Sequence, residues 1–272
     1  DMTSIVSDII VSSNTETGSK MIEELNNSST DTENDLSLQV ISAISEKDTT
    51  KLNTLSENNK EQIEKLTETA IKNADASEES AQLIAKVVAV ASDELVNKVV
   101  EEVSKNSTEE NQALSAKVMK SIVETNPEKI ETLSDENKET MITQTIEAAK
   151  NQAEGTYADG IDLTNTIAEI VTKSDTGTAA KLLETLDQVS SESSSKLSLS
   201  VVSNLTKQEN YEEKMEILSV TSSIVEQSIT KLVEKAVENA SSEEDLELVT
   251  NIVENSKGTI ADKIINSANT NE

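Results

Sequence analysis

The stretch KLNTLSENNKEQIEKLTETAIKN at residues 51–73 returns as KIETLSDENKETMITQTIEAAKN at 129–151, 78 residues later. A chain that keeps one pattern at a fixed interval folds as a series of like units, each burying its apolar face against the next. The same interval relates SKMIEEL at 19–25 to NKVVEEV at 97–103, and LSLQVISAI at 36–44 to LSAKVMKSI at 114–122. A third copy follows at a shift of 83: IAKVV at 84–88 becomes IAEIV at 167–171, and residues 97–103 become AKLLETL at 180–186. The extra residues fall in AEGTYADG at 153–160, where two Gly lie close together, and mark a lengthened loop. KMEILS at 214–219 then stands 85 after KIETLS at 129–134, and NIVENS with ADKIINSA opens a fourth copy. The copies fall at 1–77, 78–160 and 161–243, with a partial one at 244–272. An unfinished unit is expected to continue into further repeats of a longer chain, or to be covered by another molecule.

Within a copy the apolar spacing is helical. In the second, Leu83, Val87, Val88 and Ala91 form one stripe, Leu95, Val99 and Val103 another, Leu114, Val118, Ile122 and Val123 a third, and residues 130–149 a longer fourth. Start signals separate them. Ser92 and Ser107 stand before acidic residues, as caps do at the positive end of a helix dipole. Asn126 precedes the sole proline, Pro127, as an N-cap before a proline in the first turn. The expectation is an all-α fold: tandem repeats of about 78–85 residues with four helices each, in two antiparallel pairs, stacked as an elongated α-solenoid or rod. Half a copy approaches the size of a HEAT-type helix pair, but the aromatic and proline landmarks of the known helical repeats are missing.

Composition supports helices over sheets. Five Gly and one Pro leave little material for the tight turns of a many-stranded fold. Two Tyr are the only aromatics, so the core must come from Leu, Ile, Val, Met and Ala.

In the recurring stretch a polar residue interrupts the apolar stripe at one place in every copy. Leu52, Leu55, Ile63, Leu66 and Ala70 flank Asn59; Ile130, Leu133, Met141, Ala148 and Ala149 flank Asn137; Met215, Leu218, Val225, Ile229, Leu232 and Ala236 flank Ser222. These three are candidate register positions. Either the polar residue notches one long helix and fixes its register, or it follows a turn capped by Ser56 and Ser134. Val220, where Glu57 and Asp135 stand in the other copies, favours the long helix. On that basis Asn137→Leu is expected to raise stability or alter assembly.

Catalytic chemistry finds little to work with. The chain has no His and no Cys, and its 23 basic residues are all Lys. Disulfides, thiolate metal sites and the usual acid–base groups drop out together. The acidic pairs and runs Glu101–Glu102 and Glu243–Glu244–Asp245 are expected to face solvent. The acidic loops at 31–36 and 158–162 do not recur between copies, as a designed calcium site would. No catalytic, cofactor or metal residue is assigned, and divalent cations are expected to bind at most diffusely.

A net charge of −29 repels nucleic acid and anionic lipid, and no apolar run approaches the roughly 18 residues of a membrane span. The N-terminus shows no signal-peptide pattern. A non-catalytic structural protein is therefore expected, an acidic segment of a larger stalk, filament or surface assembly, with other copies or neighbouring repeats as partner and no small-molecule substrate. The alternative is a solenoid scaffold or adaptor that binds a protein on its concave face. Richness in Ser, Thr and Asn with strong acidity points to the cell surface or extracellular space, with the cytoplasm as the alternative.

Overall fold

A computed structural model describes residues 2–28, 36–72, 74–105, 108–155, 162–190, 195–211, 213–214, 217, 231, 234 and 242–255. Among these there are fourteen helices and no strand. The chain divides into two compact units, Asp1–Met141 and Ile142–Glu272.

The first unit holds α1 (Met2–Ser12), α2 (Thr15–Ser28), α3 (Leu36–Lys47), α4 (Thr49–Asn58), α5 (Lys60–Lys72), α6 (Glu78–Val90), α7 (Asp93–Val103), α8 (Glu109–Thr125), the single turn α9 (Glu128–Glu131) and the start of α10 (Asp135–Ala153). Helices α1, α3, α6 and α8 pack on one another in sequence order, while α2 packs on α4 and α5, and α5 on α7. Each first helix of a pair therefore rests on the first helix of the next pair. The contact is aliphatic: Ile10, Leu38, Ile41, Ile44, Ile84, Val88, Met119 and Ile122 are buried. Each such side chain contributes about 1.5–3 kcal/mol by leaving water, which is how a core nearly without aromatics can hold.

The second unit contains α11 (Leu163–Lys173), α12 (Thr176–Ser190), α13 (Ser195–Thr206) and α14 (Glu243–Asn255). Helix α11 packs on α12 and α13, and α13 on α14. Leu163, Ile167, Leu182, Leu186, Leu199 and Tyr211 are buried.

The expected stripes of the second copy are buried along their length, with Leu83 half-buried. Helix starts follow the cap chemistry. The Ser92 hydroxyl accepts from the Leu95 amide at 3.5 Å, Ser77 from Ser80 at 3.1 Å and Asp48 from Lys51 at 2.9 Å. Glutamates or aspartates occupy the first turns of α6, α7 and α8. At α8 the cap is Thr108, whose hydroxyl accepts from the Asn111 amide at 3.3 Å; Ser107 lies outside the described residues. Asn126 does not cap α9. It ends α8 with a non-helical backbone, φ −154 and ψ 81, as proline disfavours the helical region for the residue before it, and its side-chain amide crosses to the Ala89 carbonyl at 3.3 Å. Past the end of α10, Gly155 adopts φ +74, the left-handed conformation that glycine supplies without strain. The rest of that lengthened loop, 156–161, lies outside the described residues.

The recurring stretch is not one long helix. In the first copy the break falls at Asn59, where the backbone turns to φ −142 and ψ 49 between α4 and α5. In the second it falls three to five residues earlier in register, at Thr132–Ser134, between α9 and α10. Ser134 caps α10 through the Asn137 amide at 3.2 Å, whereas Ser56 lies inside α4. Nearly alike sequences thus break one helix at two different places. Both copies start a helix at this register, α4 at Thr49 after the cap Asp48 and α9 at Glu128 after a proline whose φ of −59 suits a helix start, but α4 runs on to Asn58 while α9 ends at Glu131.

Candidate functional site

The residues shared by the copies converge on the joint between the first and second helix of each copy. In the first, α1 gives way to α2 at Ser13 and Asn14, and the Asn14 side chain accepts from the Thr17 amide at 2.9 Å. In the second, α6 gives way to α7 at Ala91 and Ser92, with Ser92 as cap. In the third, α11 gives way to α12 at Ser174 and Asp175, and Asp175 accepts from the Thr178 amide at 2.9 Å. Asn14, Ser92 and Asp175 occupy one position of the repeat. Three different side chains do the same thing there.

Each joint also leaves a backbone carbonyl just before the cap residue, and in each a lysine from later in the copy donates to it. Lys51 Nζ reaches the Ser13 carbonyl at 2.6 Å, Lys129 Nζ the Ala91 carbonyl at 2.8 Å, and Lys214 Nζ the Ser174 carbonyl. These are the lysines that lead KLNTLS, KIETLS and KMEILS. An ammonium there satisfies an oxygen the helix cannot pair and favours the negative end of its dipole. Burial pushes the Lys214 pKa down, opposed by the Asp175 charge. Lys117, only 2% exposed, repeats the motif elsewhere by donating to the carbonyl of Ala76, just before the cap Ser77.

Asparagines complete these seams. Asn53 donates to the Val90 carbonyl at 3.2 Å and accepts from the Ser92 amide at 2.9 Å, so it grips the second joint from the preceding copy. It lies in an open, polar groove with Thr49, Thr50, Thr54, Glu57 and Val90. Asn97 accepts from the Ser134 amide at 2.7 Å and donates to the Thr132 carbonyl at 3.2 Å, bridging the break before α10. Asn137 donates to the Asn97 carbonyl and side-chain oxygen, both at 3.0 Å.

The three register candidates are thus differently placed. Asn59 is half-buried at the helix break, and its side chain makes no hydrogen bond among the described residues. Asn137 is the third residue of α10 and is tied to Asn97. Ser222, with the rest of its stripe, lies outside the described residues. Because Asn137 supplies two hydrogen bonds, Asn137→Leu is expected to lower stability by about 1 kcal/mol, the reverse of the sequence-based expectation.

The acidic candidates separate in the same way. Glu101 is exposed, as expected, but Glu102 is only 7% exposed and lies between Lys98 at 3.0 Å and Lys105 at 3.1 Å. Burial pushes its carboxyl up, and the hydrogen bonds and charges of the two lysines more than offset this, holding its pKa below the ordinary glutamate range. A depressed carboxylate stabilises the fold above its unfolded pKa of about 4.3, and that contribution is lost as pH falls through the folded value. Glu102→Gln is therefore expected to flatten the loss of stability on acidification from neutral pH, read as urea midpoints against pH. A variant as acid-sensitive as the parent would contradict this role. Glu243 is exposed in the first turn of α14, and nothing is described of the Glu244 and Asp245 side chains.

Of the acidic loops, 31–35 and 158–161 lie outside the described residues, and Asp162 is the cap of α11, accepting from Thr164 at 3.0 Å and Asn165 at 3.1 Å. Among the described residues no group of three or more acidic side chains is placed to hold a metal ion, and no helix is long and apolar enough to cross a membrane.

The lysine joints gave a signal that periodicity alone overlooks: a cation kept at the head of each copy of a stretch in which most charges between head and closing lysine drift. What the arrangement can do chemically is hold helices together.

No protein-family model matches the chain, and no curated protein matches its sequence. A solved structure described as "Computational Design of Self-Assembling Cyclic Protein Homooligomers" is 17% identical over 99% of this chain and 97% of that one, with a TM-score of 0.17, too low to carry an argument about fold or assembly.

Proposed function

We propose that this is a non-catalytic structural protein whose helix pairs stack as an α-solenoid, and that it serves as a segment of a stalk, filament or surface assembly held by contacts between like repeats. The observation that carries this reading is the joint built three times, from Lys51, Lys129 and Lys214 with the caps Asn14, Ser92 and Asp175. The positions the copies share are spent on packing the chain against itself. A copied binding site would instead hold its recurring polar groups free for a ligand.

Charge supports the same reading. Lys47, Lys60, Lys86 and Lys98 are engaged in ion pairs within the chain, alongside the joint lysines, while 52 acidic residues give the molecule its net −29. Such a surface keeps copies apart at low ionic strength and lets them approach when salt screens it. It suits an abundant component of the cell surface or extracellular space.

Negative-stain imaging at rising protein concentration, in low and in near-physiological salt, tests the proposal. End-to-end particles that lengthen with concentration and salt are expected. Single particles at every concentration and salt would overturn it and favour a scaffold that binds a different protein.

A further inference from the structure

In the second copy a side chain from outside the recurring stretch ties its break, and in the first that side chain is replaced. Asn97, on α7, accepts from the Ser134 amide at 2.7 Å and donates to the Thr132 carbonyl at 3.2 Å, and Asn137 donates to its carbonyl and side-chain oxygen, both at 3.0 Å. The chain is thereby held open just before the cap Ser134. The same repeat position in the first copy is Ser19, on α2. Both side chains also donate to the carbonyl four residues earlier, Asn97 to Asp93 at 2.8 Å and Ser19 to Thr15 at 2.6 Å. Serine has no atom beyond that hydroxyl to offer, whereas asparagine keeps an oxygen that reaches the break.

The first copy nevertheless carries the residues that the second uses on its own side of the break. Ser56 stands where Ser134 does, Glu57 where Asp135 does and Asn59 where Asn137 does. A serine followed by an acid suits a helix start. Yet Ser56 lies inside α4, and neither its hydroxyl nor the Asn59 side chain makes a hydrogen bond among the described residues. Two side chains able to cap a helix thus stand idle there. The core does not choose between the two positions, because Leu52, Leu55 and Ile63 are buried in the first copy and their counterparts Ile130, Leu133 and Met141 are buried in the second.

We propose that the recurring stretch holds a two-position helix break, and that the residue at the Ser19 and Asn97 position of the copy selects the setting. With asparagine there, the following helix starts behind the serine cap, as α10 does behind Ser134; with serine there, it starts three residues later, as α5 does behind Asn59. Three residues are about 4.5 Å of helix, added to or taken from the helix after the break. One side chain on the second helix of a copy therefore sets the length of a later helix without changing which apolar residues are buried. This conformational device goes beyond the structural reading above and does not require that copies assemble.

Backbone carbon chemical shifts, which separate helical from non-helical residues, read the setting in the 272-residue chain. Ser19→Asn is expected to move the first break from Asn59 to Thr54–Ser56, so that Asn59 takes helical shifts and Thr54–Ser56 lose theirs. Adding Ser56→Ala removes the cap that this setting needs and is expected to return the break to Asn59, which a local disturbance by the new asparagine would not do. Asn97→Ser is expected to close the second break at Thr132–Ser134 and open one at Asn137. Ser134→Ala, a change of one atom, is expected to do the same and gives the reading if Asn97→Ser unfolds the chain. A break that stays at Asn59 in Ser19→Asn, or at Thr132–Ser134 in Ser134→Ala, overturns the proposal. So does a first break that stays at Thr54–Ser56 once Ser56→Ala is added, or a break at any third place.

Discussion

Lys51→Met, Lys129→Met and Lys214→Met are each expected to lower the unfolding free energy by about 1–2 kcal/mol, and the triple variant by about 3–6 kcal/mol. Methionine keeps most of the apolar stem and its packing but removes the donor, so the carbonyls of Ser13, Ala91 and Ser174 lose their ammonium partner. The three sites share no partner, which is why their effects are expected to add. Urea unfolding at neutral pH measures this, with Lys20→Met as a control that is expected to be silent, since Lys20 pairs only with Glu16 on an exposed helix face. One large loss beside two silent variants would mean that the joints are unrelated.

Leu52→Ala and Ile130→Ala are each expected to cost about 2–5 kcal/mol, and Asn59→Ala less than about 1 kcal/mol. Leu52 and Ile130 hold the same repeat position, immediately after a joint lysine, and both are fully buried. Truncation there removes transfer energy and leaves a cavity that neighbouring helices only partly close. Asn59 has no such cost, because its half-buried side chain holds no partner among the described residues and only its backbone turns the chain. Denaturant midpoints on the three variants compare them directly. Equal losses at Leu52 and Asn59 would return the polar position to the central role that the sequence suggests for it.

Apolar periodicity carried the helical class and the stripes, because burial of Leu, Ile and Val follows from the face they occupy; the four helices expected per copy are five in each of the first two, since the recurring stretch breaks. Polar positions were less legible. Glu102 sits next to exposed Glu101, and both meet Lys98, but Glu102 is buried and also meets Lys105, a matter of which way one helix turns against its neighbour. Asn126 reads as a cap before proline, yet its amide has a carbonyl of α6 within reach and takes that partner. The break within the recurring stretch moves between Asn59 and Thr132–Ser134 although the flanking letters agree, since the helix that opens it runs from Thr49 to Asn58 in one copy and only from Glu128 to Glu131 in the other. For Asn126 the deciding partner stands 37 residues away, beyond the reach of any local pattern.

The recurring residues are spent inside the molecule, holding one joint together three times. Limited acetylation of the native chain followed by mass spectrometry tests it most directly, because an ammonium held on a buried carbonyl reacts slowly. Lys51, Lys129 and Lys214 are expected to be modified at least about tenfold more slowly than Lys20. Modification of all four at one rate would contradict it.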